Sequence, residues 1–180
     1  MKKQILFIAF ALVFGSISAI AQRQPSTPIR HYLVSLKQSI ADLDKKLTGD
    51  SDKAASTSKD LTVTKVEDLI GGAGMETRVA IQHDTRRSGD LAELHDKSDD
   101  VYYVLKGKAT LELGGIMDDP KETSAGSGEW KSKTVTGSKM VEIKEGDMVM
   151  VPRGTPHRRI VTGKGFSMIL IKIYEDPLPK

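Results

Sequence analysis

Residues 146–157 read GDMVMVPRGTPH. Gly146 and Asp147 are a turn signal, and Met148 to Val151 form an apolar run of strand length. Pro152-x-Gly154 then makes a rigid bend, because proline fixes one backbone angle and glycine tolerates the next. The strand that follows opens on His157. Two turns of defined geometry thus deliver an imidazole to the start of a strand, near the interior of whatever the strands build.

The same grammar extends outward. TRVAIQH (77–83), LAELH (91–95), VYYVL (101–105), ATLEL (109–113), KMVEI (139–143), MVMVP (148–152), HRRIVT (157–162) and FSMILIKIY (166–174) are short β-rich runs with turn residues between them. Regular short strands of this kind predict an all-β, antiparallel sandwich or barrel. Gly71-Gly-Ala-Gly74 lacks the lysine and the strand-to-helix context of a phosphate cradle, and reads as a turn. Residues 118–138 are polar and rich in Gly, Ser, Thr and Lys, and read as a long excursion between strands. Within it Trp130, Lys131 and Lys133 suggest a lid.

Residues 1–21 carry two lysines, an apolar run and Ala19-x-Ala21, the pattern of a secretory signal peptide. Cleavage there leaves a periplasmic or secreted protein with no stable membrane anchor. With no cysteine, there is no disulfide and no lipid anchor on a cysteine. The formal charge of +3 falls to +1 when Lys2 and Lys3 depart, so a nucleic-acid partner is not expected. Residues 22–60 are expected to hold a linker and an N-terminal amphipathic helix over 29–48. Thr27-Pro28 would start it, Ile29, Leu33, Leu36, Ile40, Leu43 and Leu47 would form its stripe, and His31 would sit at its surface. Residues 49–60 read as a polar loop, and residues 61–180 as the β domain.

The stretch 91–107, LAELHDKSDDVYYVLKG, crowds His95 among Glu93, Asp96, Asp99 and Asp100, then turns into a β-branched and aromatic run. Strand geometry sends Glu93 and His95 to one face, and Asp100, Tyr102 and Val104 to one face. Carboxylates crowded into a poorly solvated space need a cation, since like charges there raise one another's pKa values.

Gly146, Pro152, Gly154 and His157 match the second motif of the cupins, G-x5-P-x-G-x2-H, with Val161 in place of the family's asparagine. The chain therefore resembles a cupin over about residues 75–175. The first cupin motif, G-x5-H-x-H-x(3,4)-E-x6-G, fits in two registers. With His95 as the first histidine, Gly89 matches but Lys97 takes the second place. With His95 as the second, Glu93 takes the first place and Asp100 and Gly107 keep the spacing, while Arg87 replaces the leading glycine. The second register fills every liganding position with a metal-binding group and is preferred.

The resemblance implies a cupin-type antiparallel β-barrel (double-stranded β-helix or jelly roll), commonly a homodimer. It implies a divalent metal, Mn, Fe, Zn or Ni, held by Glu93, His95, Asp100 and His157. Arg159, two residues beyond His157, would share its inward face and hold an anionic substrate, with Arg158 pointing away. Tyr102 would donate a hydrogen bond or act as a weak acid. His83 reads as a strand-end surface residue, with a place beside the metal as the alternative. The expected function is metal-assisted chemistry, oxygenase or isomerase in type, on a small anionic or hydroxylated molecule. The alternative is a non-catalytic module that binds a small ligand or a cation in a metal-free barrel.

Overall fold

A computed structural model of the chain describes residue 27 and residues 31–178. Helix α1 (Lys37–Thr57) leads into β1 (Thr62–Ile70), β2 (Thr77–Arg87), β3 (Ala92–His95) and β4 (Ser98–Leu113). Four short strands follow: β5 (Ile116–Met117), β6 (Lys121–Glu122), β7 (Glu129–Ser132) and β8 (Val135–Thr136). The chain closes with β9 (Lys139–Lys144), β10 (Met148–Val151), β11 (His157–Ile160) and β12 (Phe166–Tyr174). All these elements belong to the unit that runs from Leu33 onward. The expected signal segment and Pro28 lie outside the described residues. Among the described residues no helix is long and apolar enough to cross a membrane.

The antiparallel all-β architecture is observed, and β4 organises it. VYYVL and ATLEL, read above as separate strands, are one strand that serves two sheets. Residues 98–107 of β4 lie between β12 and β10, and residues 108–113 lie between β11 and β9. The first sheet continues through β12 to β2 and β1; the second continues through β11 to β3, β7 and β6. The ladder ends at β1 and β6 without joining them, so hydrogen bonding does not close the barrel that the motifs imply. Strands β5 and β8 pair only with each other.

A bulge makes the change of sheet possible. In the β12 ladder Ser167 faces Lys106 and Met168 faces Val104, which leaves Leu105 unpaired. Burial accordingly changes parity, from Ser98, Asp100, Tyr102 and Val104 to Ala109 and Leu111. Gly107 follows the bulge at φ +77, and a Cβ there would lie 2.2 Å from the Gly165 carbonyl oxygen. The turn at Gly146 docks on the same place, its N–H donating to the Val104 oxygen (3.0 Å). Tyr102, Val104, Leu111, Ile143, Phe166 and Met168 fill the apolar interior around this bend.

The helix is shifted from its expected place. Residues 31–36 are not helical, His31 is exposed and outside the helix, and the polar stretch 49–57 is helical instead. Tertiary contacts outweigh the apolar stripe here. Leu47 and Ser51 are buried, and the Thr85 hydroxyl donates to Ser51 Oγ (2.9 Å). At the C-terminal end the Arg86 guanidinium donates to the Ala55, Ser58 and Asp60 carbonyls, satisfying groups that a helix end leaves open. Gly71 to Gly74 form the β1–β2 turn, as the sequence indicates.

Replacing Gly107 with alanine forces a Cβ into backbone at a positive φ, and should cost at least about 2–3 kcal/mol. Gly146→Ala has the same sign of φ (+87) but open space for the Cβ, and should cost only about 1 kcal/mol. Urea denaturation of the two variants beside the parent checks this; equal costs would refute the role given to the bend.

Candidate metal centre

Cross-strand register assembles the site. Strand β3 pairs with β11 so that Glu93 lies opposite His157. It pairs with β7 so that Glu93 lies opposite Lys131 and His95 opposite Glu129. Strand β4 pairs with β12 so that Asp100 lies opposite Lys172. Directly opposite residues share a face at short range, so each pair meets without any loop placing it. The two sheets then bring the groups together: Asp100 Oδ2 is 3.5 Å from His95 Nε2 and 3.8 Å from His157 Nε2.

The Pro152–Gly154 bend links the two motifs directly. Gly154 N–H donates to the His95 carbonyl (2.8 Å), and the Arg153 N–H donates to Asp99 Oδ1 (2.8 Å). The acidic cluster of 93–100 therefore divides its work. Asp96 accepts from the Trp130 indole (2.7 Å), Asp99 holds Arg153, and Glu93 and Asp100 face the interior.

The two imidazoles are oriented in the manner of metal ligands. His157 Nδ1 is 3.0 Å from the Thr155 carbonyl oxygen, and His95 Nδ1 is hydrogen-bonded to Glu129. With both Nδ1 atoms occupied by acceptors, both Nε2 atoms face Asp100, and such outer partners set tautomer and ring orientation in metal sites. Glu93, His95 and His157 each place a donor atom within 4.8 Å of the others. Glu93 Oε1 is held by Lys131 (2.8 Å), while Oε2 lies 3.8 Å from His95 Nε2. The donor set fits a divalent transition metal, with Asp100 as a fourth group in reach.

Glu93, His95 and His157 thus form one group, and Asp100 stands beside its two imidazoles. Tyr102 is buried and its hydroxyl donates to Asp100 Oδ2 (3.2 Å). Arg159 is also buried and lines the cavity, but its Nε is committed to Asp84 (2.8 Å) and its guanidinium lies over the Tyr102 and Phe166 rings. Arg158 points elsewhere, to Glu112 (2.5 Å). The cavity measures about 360 Å³ and is lined by Arg78, Arg87, Arg159 and Lys172 as well as the carboxylates, a size that suits a small molecule.

Two readings of the sequence change. His83 is neither at the surface nor beside the metal donors; it is buried beneath α1, its Nδ1 shared by Ser167 (2.7 Å) and Thr48 (3.2 Å). Trp130 and Lys131 belong to β7, a strand of the second sheet rather than a lid. Two residues of the site escaped notice altogether, Glu129 and Lys172. Lys172 had a signal: one lysine inside the apolar run of β12, on the parity of Phe166 and Met168. Glu129 had none, because only the β3–β7 register sets it against His95.

Electrostatics in the metal-free chain follow from these contacts. Burial opposes a charge on His95, but hydrogen bonds to Asp100 and Glu129 outweigh it and raise its pKa to about 9. Burial likewise opposes the Asp100 carboxylate, yet His95 and Lys172 hold it well below the usual range. Burial lowers His157 and leaves it neutral, as a ligand must be. Burial also pushes the Tyr102 phenol upward, so it stays protonated.

No protein-family model matches the chain, and no curated protein matches it either. Similar solved structures include the cupin domain of Schizosaccharomyces pombe Cnp3 (11% identity, 62% of this chain and 64% of that one, TM-score 0.45). A Klebsiella pneumoniae protein with a double-stranded β-helix domain is similar at 15% identity (67% and 84%, TM-score 0.45). The DMSP lyase DddQ of Ruegeria pomeroyi is similar at 16% identity (61% and 46%, TM-score 0.44). The chain spans less than half the length of the lyase.

Because His95 is raised above its ordinary 6.5 to about 9, the stability from its charged form is fully present below 6.5 and is lost as pH rises through about 9. In metal-free protein Glu129→Gln should weaken that alkaline loss and shift the His95 imidazole titration to lower pH by NMR. An unchanged titration would remove Glu129 from the account.

Proposed function

We propose that this is an exported cupin that binds a divalent metal and uses it on a small anionic or hydroxylated molecule. The carrying observation is that two buried imidazoles, each with Nδ1 tied to an acceptor, aim Nε2 at one point beside Glu93 and Asp100. Export is supported by the lysine-led apolar segment of residues 1–21. Glu93, His95, His157 and Asp100 would hold the ion, which when bound would polarise a substrate oxygen.

The rest of the chemistry belongs to the chain. Arg159 and Arg87 present positive charge to the cavity beside Glu93, which suits a carboxylate or hydroxyl-bearing ligand. Asp84 holds Arg159 by its Nε, which fixes the direction of the guanidinium instead of leaving it to swing. Tyr102 keeps its proton and can donate it as a hydrogen bond toward a developing negative charge. Tyr102 and Leu170 line the cavity and pack against the apolar core.

A second reading, a non-catalytic module that captures a small ligand, is favoured by one specific contact. Lys172 donates to Asp100 Oδ1 at 2.7 Å and already neutralises it without a metal.

Elemental analysis of untagged protein, beside Glu93→Ala and His157→Ala, separates the readings. Metal near one equivalent in the parent and under a tenth of that in both variants is expected; equal metal in all three rejects the centre. Affinity should also rise with pH by up to about tenfold per unit until His95 has lost its proton near pH 9, measured by titration calorimetry. A flat profile over that range would mean that His95 is not a ligand.

A further inference from the structure

We infer that Lys172 is a tethered cation that competes with the metal for the Asp100–His95 corner and sets a threshold on metal uptake. The inference rests on the metal-binding reading above. Its Nζ is 2.7 Å from Asp100 Oδ1 and 3.1 Å from His95 Nε2. The side chain is largely buried, 12% exposed. It reaches this place because Lys172 pairs with Asp100 across the β4–β12 ladder, on the same face as Phe166, Met168 and Leu170.

Phe166 and Met168 are fully buried on that face. A lysine among them is costly unless a carboxylate meets it, and Asp100 does. The same carboxylate is the group a divalent ion would need. His95 Nε2, the atom that would give its lone pair to a metal, has the ammonium at hydrogen-bond distance. A metal in contact with both Nε2 atoms and Asp100 would therefore sit within a few ångströms of Nζ, where like charges repel strongly in a poorly solvated site.

The lysine can yield. Its four-carbon stem is flexible, and the cavity of about 360 Å³ that it lines gives the ammonium room to withdraw. Two states follow. In one, Lys172 neutralises Asp100 and the chain is folded with no metal. In the other, the ion takes that corner and the ammonium retreats toward solvent. Glu93 is held in a parallel way by Lys131 (2.8 Å), but through Oε1, which leaves Oε2 facing His95. Lys172 is thus the cation set directly against the imidazole donor, and it decides how much free metal the centre needs.

Mn(II) or Zn(II) titrated calorimetrically into chelator-stripped full chain tests this. Lys172→Met should bind at least tenfold more tightly than the parent, and its metal-free form should melt at a lower temperature. Lys172→Arg keeps the charge and should bind no better than the parent. If Lys172→Met does not fold by near-UV circular dichroism, Lys172→Gln, which can still donate to Asp100, carries the comparison. Equal or weaker affinity in the neutral variant, with Glu93→Ala and His157→Ala abolishing uptake, would overturn the inference and leave the metal centre intact. No uptake by any form would overturn both.

Discussion

Asp100 is almost fully buried, flanked by Tyr102, and held well below the usual carboxylate range. A negative charge in such a place demands a cation, and the two sheets can close over it only because His95 and Lys172 stand beside it. That demand organises the interior. The groups around Asp100 come from four strands of both sheets, and each is set by a ladder register rather than by a flexible loop. Glu93 has its Lys131, Asp84 its Arg159, and Asp100 its Lys172. The site is thus a set of paired charges carried on strands of both sheets.

Pairing of this density fits two kinds of chemistry. Imidazoles with both Nδ1 atoms tied off are arranged for a metal. An ammonium at the same corner is arranged for the metal's absence. On the reading that Lys172 and a metal share this corner, the chain would not need its ion to fold, unlike a domain whose core is built on its metal. Asp100 has both His95 and Lys172 beside it, so its charge is compensated by groups of the chain itself.

Much of the fold was legible because strands and turns write themselves locally. Gly146, Pro152 and Gly154 announce their turns, and the spacing of Glu93 and His95 places both on one face with no knowledge of neighbours. The β4 strand was harder: Lys106-Gly107 looks like a turn in sequence, and is a bend inside one strand because the Leu105 bulge keeps the ladder running. The helix start was misplaced because Leu33 and Leu36 continue the apolar period, yet both are exposed. Its far end was missed because Ser51 and the Arg86 cap, rather than apolar side chains, hold it to the sheet.

From the residue order alone came an all-β chain, a histidine after a Pro-x-Gly bend, and four metal-capable groups in two motifs. These depend on backbone preferences and on the two-residue period of a strand, both of which are local. Only the tertiary structure decided that those groups meet, that Glu129 orients His95, and that Lys172 occupies the corner a metal would share. Those facts are pairings between residues 34 to 77 positions apart. No local preference encodes such a pairing; the register of β3 with β7 and the packing of β12 against β4 do.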